Sequence, residues 1–222
     1  MFSRWVVITG IIVILAAAGA VYYSITRAPA PSHIPAKEFI APEDRFPLPK
    51  NIGEQIIYQV QLGKLNLGTA RFCFVQATLE NDFYVDEMTF DTRLLRFSDS
   101  ERILSDDRTF LPITVERTIV NLFSKETIRE EYDQKTYTVS ILSTKGKKQT
   151  TTTIQKESPI QNSILLPHYV RQLPDLTVGM EFKVNLPTRE LTIKLTSIES
   201  ITVPAGTFQA YHFESDPKQV EI

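Results

Sequence analysis

The sequence alternates apolar and polar residues with a period of two from Ile56 to Phe213. Successive side chains of a β-strand point to opposite faces of a sheet, so this pattern is typical of strands with one buried face. The pattern predicts strands at residues 54–60, 65–76, 83–90, 102–105, 113–120, 126–133, 136–143, 149–155, 181–185, 190–200 and 207–214. The predicted fold class is mainly β, with an antiparallel curved sheet that forms a half-barrel, a barrel or a sandwich.

Residues 159–171 break this pattern and predict one principal helix. A helical stripe needs apolar residues three or four positions apart, and the segment has such residues at Ile160, Ile164, Leu165 and Tyr169. Pro167 is expected to kink or split the helix. A helix on an all-β scaffold must bury its apolar side, and we expect this one to lie against the concave face of the sheet.

The N-terminal residues 5–23 contain no charged side chain. Their length is close to the ~20 apolar residues that cross a bilayer as a helix. Trp5 lies at one end of the run and Tyr22 and Tyr23 at the other, as in the aromatic belts of membrane proteins. Residues 1–27 are therefore predicted to be a single N-terminal transmembrane helix, a signal anchor. A cleaved signal peptide is the alternative, because residues 18–20 have the small-x-small form of a cleavage site.

The rest of the chain divides into a linker and a domain. Residues 28–50 are rich in proline, which favours an extended spacer. Residues 51–222 form the predicted exported β-rich domain. Arg4 precedes the apolar run and Arg27 follows it, so the positive charges are nearly balanced across it. We expect the short N-terminal tail inside and the large domain exported, which predicts a single-pass membrane protein.

The composition excludes several classes of function. The chain has 24 Lys and Arg against 26 Asp and Glu, which argues against a nucleic-acid partner. It has one cysteine and no His-x-x-x-His or Cys-x-x-Cys spacing, so we predict no metal site. Gly-x-Ser-x-Gly and phosphate-binding glycine loops are also absent, and we predict no cofactor, no catalytic residue and no enzyme. A triad assembled in space from His168 or His212 remains a less favoured alternative.

Two groups of residues are candidates for ligand binding. Arg93, Arg96 and Arg102 lie near Asp99 and Glu101, and the first two flank an apolar pair. These arginines could bind an anionic glycan or a lipid head group, although salt-linked surface strands are the alternative. The helical residues Ile164, Leu165 and Tyr169 complete the candidate set, as residues that would line the interior. A basic cluster at Lys145, Lys147 and Lys148 is interpreted as a solvated hairpin tip.

Three short segments carry a family pattern: Gly53 and Glu54 with Ile57, Tyr58 and 67–70 (LGTA); 99–101 (DSE) with Asp106, Leu111 and Pro112; and 203–208 (VPAGTF) with Tyr211. They resemble the bacterial exported proteins grouped as domain of unknown function 3108. Residues 163–171 and 176–179 are similar to the family's helix and following strand, but Asn162 replaces an expected acidic residue. The resemblance covers roughly residues 51–222 and implies an envelope location and a β-rich fold, without an established activity. With the predicted anchor, the expected location is the bacterial inner membrane, as a single-pass protein with its C-terminal domain in the periplasm. Members of this family usually continue through a further hairpin beyond the strand in which Ile222 lies.

We therefore expect a non-catalytic cell-envelope protein that binds an apolar or amphipathic ligand, such as a lipid or a lipid-linked glycan, in envelope assembly. The alternative is an interaction module that docks another envelope protein, and a hydrolase is less favoured. An apolar cavity inside the sheet would favour the first function. A filled interior with an exposed apolar patch would favour the second. A cleft that joins a histidine, a carboxylate and a hydroxyl would favour the third.

Overall fold

The computed structural model describes residues 52–62, 65–80, 83–203 and 206–217. Within these ranges no helix is long and apolar enough to span a membrane. The predicted membrane helix at residues 5–23 and the predicted linker at residues 28–50 lie outside the described residues.

The first eight strands form one antiparallel sheet, the large sheet, in which each strand pairs with the next along the chain. They are β1 (Gln55–Leu62), β2 (Leu65–Glu80), β3 (Phe83–Leu94), β4 (Phe97–Asp106), β5 (Pro112–Val120), β6 (Lys125–Asp133), β7 (Thr138–Lys145) and β8 (Lys148–Gln155). Short turns can join antiparallel neighbours, so consecutive strands lie side by side. In the described part of the chain β1 and β8 do not pair, and the large sheet is open rather than a closed barrel.

The last three strands form a separate small sheet. They are β9 (Glu181–Leu186), β10 (Arg189–Val203) and β11 (Gly206–Asp216), with β10 in the middle. Burial alternates along β9, where Phe182 and Val184 are buried and Lys183 is exposed, so one face of this sheet packs on the core. The structure confirms a mainly β fold of antiparallel strands with one short helix. The closed barrel is wrong, because β1 and β8 do not pair in the described residues and a small sheet stands beside the large one.

The helix is shorter than predicted. One turn of 3-10 helix at Ser163–Leu165 leads into α1 (Leu166–Arg171). Asn162 begins the turn, and its side-chain oxygen accepts a hydrogen bond from the amide of Ile164 at 2.8 Å. Pro167 lies in the first turn of α1, where an amide hydrogen would have no helical partner. It therefore starts the helix rather than kinking it.

Residues 159–162 are not helical, because partners distant in sequence bind their backbone. The Ile160 amide donates to Oε1 of Gln134 at 3.0 Å, and Nε2 of Gln134 donates to the Ile160 carbonyl at 2.8 Å. The Gln161 amide donates to the Asn185 carbonyl at 2.7 Å, and Oε1 of Gln161 accepts from the Asn185 amide at 2.7 Å. These bonds tie the segment to a turn of the large sheet and to β9. They replace the helical bonds that the apolar stripe had suggested.

The helical segment packs between the two sheets in one hydrophobic cluster. The helical segment contributes Leu165, Leu166, Tyr169 and Val170 to this cluster, and Leu165 has no exposed surface. The sheets contribute Phe72, Phe74, Met88, Ile103, Val115, Phe182, Val184, Leu186, Leu191, Ile193, Leu195 and Phe213. The sequence predicts a helix against the concave face of the sheet, and in the structure its apolar residues share one hydrophobic cluster with residues of both sheets. His168 of the helix contacts Phe72 and Phe74 of the large sheet. The face of the large sheet that carries Met88, Ile103 and Val115 is called the inner face, and the opposite face the outer face.

The large sheet has two ends that differ in what they contact. The end of the large sheet that lies beside the helix is called the helix end, and it contains the turns at residues 107–111 and 134–137. There the Tyr169 hydroxyl donates to the Phe110 carbonyl, and Nε2 of Gln172 donates to the Arg108 carbonyl at 2.9 Å. The far end contains the turns at residues 95–96, 121–124 and 146–147. Alternate turns of an antiparallel meander fall at the same end, so these loops lie together.

Candidate functional site

The outer face of the large sheet carries an open groove of about 480 Å³. Strands β3 to β7 all contribute to it. The groove is lined by Thr89, Asp91, Ser100, Glu101, Arg102, Glu116, Arg117, Thr118, Thr127, Ile128, Arg129, Leu142 and Thr144.

Strand register explains why these residues meet. One row of directly opposed residues crosses the strands as Thr89, Arg102, Glu116, Arg129 and Leu142. A second row, two residues nearer to the far end, consists of Asp91, Ser100, Thr118, Thr127 and Thr144. Neighbouring strands are about 4.8 Å apart, so the groove offers side chains at a regular spacing across the strands. Such a floor suits an extended ligand that lies perpendicular to the strands.

The first row belongs to a ladder of alternating charges. Nε of Arg102 contacts Oε1 of Glu87 at 2.7 Å, and Nη1 of Arg129 contacts Oε1 of Glu116 at 3.0 Å. A longer contact of 3.9 Å joins Arg102 to Glu116, and Arg129 also pairs with Glu131 at 3.0 Å. The hydrogen bond from Arg102 lowers the pKa of Glu87. Exposed ion pairs contribute little to stability, typically ~0–1 kcal/mol, so this ladder is available for a ligand at small cost to the fold.

The second row is a line of hydroxyl groups. Ser100, Thr118, Thr127 and Thr144 all point to the outer face, because each is opposed to the next across the strands. Within the described residues none of these hydroxyls has a hydrogen-bond partner. Each hydroxyl can both donate and accept, so the row can bind a ligand that itself carries many hydroxyl groups.

A buried cluster of charged residues lies beneath the groove, on the inner face. Its centre is Arg117, whose Nε donates to Oδ1 of Asp99 at 2.8 Å and lies 3.3 Å from Oε1 of Glu101. The Tyr132 hydroxyl donates to Glu130, which also interacts electrostatically with Arg117. Glu101 and Arg117 occupy the positions between the two groove rows. The ion pairs of Arg117 therefore join β4 to β5 directly under the groove, and Glu130 of β6 adds a further charge that Arg117 attracts.

Burial changes the ionisation of this cluster. Desolvation raises the pKa of Glu101 to about 8, although Arg117 opposes the shift. Desolvation also raises the pKa of Glu130, against the hydrogen bond from Tyr132 and the charge of Arg117. Removing a carboxylate from water favours its neutral form, and here one guanidinium faces several carboxyl groups. At neutral pH Glu101 is therefore mainly protonated.

The structure separates the candidate residues that the sequence suggested. Arg93 and Arg96 are exposed at the far end of the large sheet. Leu165 and Tyr169 are buried in the core, and Ile164 is half-buried against it. The two arginines and the three helical residues thus lie at different ends of the sheet, and no single ligand site contains both groups.

His168 lies among aromatic rings on the inner face. Its ring centroid is 4.9 Å from that of Phe72, 5.2 Å from that of Phe110 and 6.4 Å from that of Phe74. Burial, with a smaller effect of Arg171, lowers the pKa of His168 to about 4. A neutral imidazole packed in this way acts as part of the core.

His212 lies beside a serine and a glutamate, but not in the geometry of a catalytic triad. Nδ1 of His212 is 3.1 Å from Oε1 of Glu199 and 3.4 Å from Oγ of Ser197. In a triad the acid and the nucleophile contact different nitrogens of the ring. Here the same nitrogen faces both groups, and Oγ of Ser197 donates to Glu199 at 2.5 Å.

Sequence reasoning identified Arg102 as a candidate, but it missed the buried cluster and the other residues of the groove above it. The signal was present, since Asp99 and Glu101 share the strand parity of buried Ile103, and Arg117 shares that of buried Val115. Charged residues that alternate in step with the buried apolar residues of a strand predict a buried ionic cluster, once the ends of the strand are predicted correctly. The groove had no such signal, because its rows depend on the register of all the strands from β3 to β7.

These features define a mainly β protein with a large open sheet, a small sheet and a polar groove that crosses the strands. The model of the family described as a protein of unknown function (DUF3108) matches residues 57–221, and the chain belongs to this family. No curated protein and no solved structure matches the chain significantly.

Proposed function

We propose that this chain is a non-catalytic cell-envelope protein that binds an extended, hydroxyl-rich ligand in the groove of its large sheet. The glycan part of a lipid-linked glycan has this chemistry. The observation that carries the proposal is the row of hydroxyls at Ser100, Thr118, Thr127 and Thr144, set beside the charge ladder. The arginines and glutamates of the ladder add charged donors and acceptors, which make stronger hydrogen bonds than neutral groups do.

The volume of the groove and the hydrogen-bonding side chains in its lining support a glycan rather than an acyl chain. Its volume of about 480 Å³ lies within the usual range of small-ligand sites. Leu142 and Ile128 are the apolar members of the lining, whereas the other lining residues are hydroxyl-bearing or charged. The interior, where an acyl chain would be expected, contains the side chains of Leu165, Leu166 and Tyr169.

The proposed location is the periplasmic side of the bacterial inner membrane, with residues 5–23 as the anchor. Its support is the uncharged apolar run and the proline-rich segment that follows it. A protein held there would meet glycans that emerge from the membrane on lipid carriers.

Calorimetric titration of the full chain in detergent with fragments of envelope glycans would test the groove. The double variant Thr118→Val and Thr127→Val removes two hydroxyls with little change in shape. We expect it to lower affinity at least about tenfold, the effect of losing roughly 1.4 kcal/mol of hydrogen bonding.

The matched control is Thr151→Val with Thr153→Val, which removes two exposed hydroxyls of β8 outside the groove. The control should bind as the wild type does. Equal affinity of all three proteins, or no binding of any envelope glycan, would contradict the proposal.

A second candidate function is protein–protein interaction through the β10–β11 hairpin. Ile201 and Phe208 are directly opposed on one side of its outer half, and they are 42% and 50% exposed. Val203, next but one to Ile201, is 43% exposed on the same side. Exposed apolar patches of this kind often mark interaction sites. Ile201→Ser with Phe208→Ser should abolish cross-linking to an envelope partner, and unchanged cross-linking would exclude this role for the hairpin.

A further inference from the structure

The far end of the large sheet combines exposed apolar side chains with an excess of positive charge. Leu95 is 86% exposed, Leu122 is 56% exposed and Phe123 is 94% exposed. Exposed basic residues lie in or beside the same turns, at Arg93, Arg96, Lys125, Lys145, Lys147 and Lys148. The chain as a whole is slightly acidic, with a net charge of −2, so this positive charge is a local feature.

The strand register places these residues at the same height along the strands, at the far end of the large sheet. The closing pairs of the three hairpins are Leu94 with Phe97, Val120 with Lys125, and Lys145 with Lys148. Ser98 is opposed to Val120 and Glu126 to Lys145, so adjacent hairpins end within about two residues of each other. Two basic clusters that are far apart in sequence, at residues 93–96 and 145–148, thereby become parts of one surface.

The turn at residues 121–124 holds its apolar side chains outward. Oδ1 of Asn121 accepts hydrogen bonds from the amides of Phe123 and Ser124 at 3.0 and 2.9 Å and from the Ser124 hydroxyl at 3.1 Å. The Asn121 amide in turn donates to the Ser124 carbonyl at 3.0 Å. The backbone of this turn is thus satisfied internally. Leu122 and Phe123 are free to bury their apolar surface elsewhere.

The acidic residues nearby do not cancel the positive charge. Asp99 is buried and paired with Arg117, and Glu126 lies 3.9 Å from Lys145. Asp91 is half-buried in the second groove row. Apolar tips within a ring of arginine and lysine fit the interface of a bilayer with negatively charged lipids. There apolar side chains enter the head-group region and cations meet lipid phosphates.

We propose that the far end of the large sheet docks on an anionic lipid bilayer, with Leu95, Leu122 and Phe123 inserted and the basic residues on the head groups. This contact is separate from the predicted anchor at residues 5–23. It orients the domain with the second groove row close to the membrane, because Ser100, Thr118, Thr127 and Thr144 lie within a few residues of the docking turns. The docking contact does not require that the groove bind a ligand.

Tryptophan quenching in the full chain tests this docking. Trp5 is the single tryptophan of the sequence, so the background carries Trp5→Phe. One protein then carries Phe123→Trp, and its control carries Tyr84→Trp, an exposed aromatic position near the helix end. Both are placed in vesicles of brominated phosphatidylcholine, with or without brominated phosphatidylglycerol.

We expect brominated phosphatidylglycerol vesicles to quench Phe123→Trp at least about twice as strongly as neutral vesicles, because the basic ring binds anionic head groups. Added salt, or the triple change Arg96→Gln, Lys147→Gln and Lys148→Gln, should remove the difference, and Tyr84→Trp should not respond. Equal quenching at both positions, or quenching of Phe123→Trp that ignores lipid charge, would overturn the proposal. A response of Phe123→Trp to soluble polyphosphate but not to vesicles would also overturn it, in favour of a soluble polyanion.

Discussion

At the scale of single residues, the buried carboxyl group of Glu101 in the large sheet keeps its proton at neutral pH. Glu101 is 7% exposed and has a pKa of about 8, because the desolvation of its carboxylate outweighs the attraction of Arg117. An unfolded chain releases this proton near the ordinary pKa of 4.5, whereas the folded chain retains it. The folded state therefore binds more protons between these pH values, and stability falls as the pH rises from about 4.5 to about 8.

Glu101→Gln tests this account. Glutamine keeps the shape of a protonated glutamate and has no proton to lose, so the variant should be more stable than the wild type at pH 9. We expect a difference of about 1–4 kcal/mol in the free energy of unfolding, which shrinks towards zero near pH 4. Urea unfolding at both pH values measures it. A variant that is less stable than the wild type at pH 9 would mean that Glu101 is ionised in the fold.

Gly68 is constrained by the close approach of β2 and β3. A Cβ atom at this position would lie 1.9 Å from the carbonyl oxygen of Arg93, and its φ is +152°. Gly68→Ala should therefore destabilise the fold by more than about 2 kcal/mol.

Gly146→Ala is the matched control, since a Cβ there meets nothing within 4 Å and only the φ of +60° opposes it. The control should cost about 1 kcal/mol. Thermal unfolding of both variants gives the comparison, and equal losses would show that β2 and β3 are not in close contact at Gly68.

At the scale of elements, the short helix joins the two sheets. Leu165 is fully buried between them, while the Tyr169 hydroxyl binds the Phe110 carbonyl at the helix end. Arg171 pairs with Glu54 at 3.3 Å and links the helix to the residue before β1. The helix is therefore structural, rather than a lid over an empty interior.

Leu165→Ala should lower the free energy of unfolding by about 2–5 kcal/mol, because it removes a buried side chain and leaves a cavity. Leu95→Ala, at a position that is 86% exposed, should change it by no more than about 0.5 kcal/mol. Differential scanning calorimetry of the full chain compares the two. A small loss for Leu165→Ala would indicate that the helix can leave the core.

The predicted elements match the observed ones where one face of a strand is apolar. They differ from the observed ones where contacts between residues distant in sequence determine the local structure. The sequence pattern does not predict the N-terminal half of β4, because the residues that point inward there are the charged Asp99 and Glu101. The predicted helix begins too early, at residue 159. No local feature of the sequence shows that Gln134 and Asn185 bind the backbone of residues 160–161. The division into two sheets and the groove both depend on pairing between strands, and a local pattern does not contain that information.

At the scale of the whole molecule, the topology of the large sheet places its core contacts, its groove and its basic turns on different surfaces. The inner face packs against α1 and the small sheet, the outer face carries the groove, and the far end carries the basic turns. The proposed docking of the far end would set the groove beside the membrane. A ligand with a glycan head and a lipid tail would then reach the groove without leaving the bilayer.

Native mass spectrometry of the full chain, purified in detergent from bacterial membranes, tests most directly whether the groove holds a glycan. The groove account predicts a bound species that releases sugar fragments on activation. This species should be absent from Thr118→Val with Thr127→Val and retained by Thr151→Val with Thr153→Val. A wild-type protein with no such species, or a groove variant that retains it in full, would contradict the assignment of the groove as a glycan site.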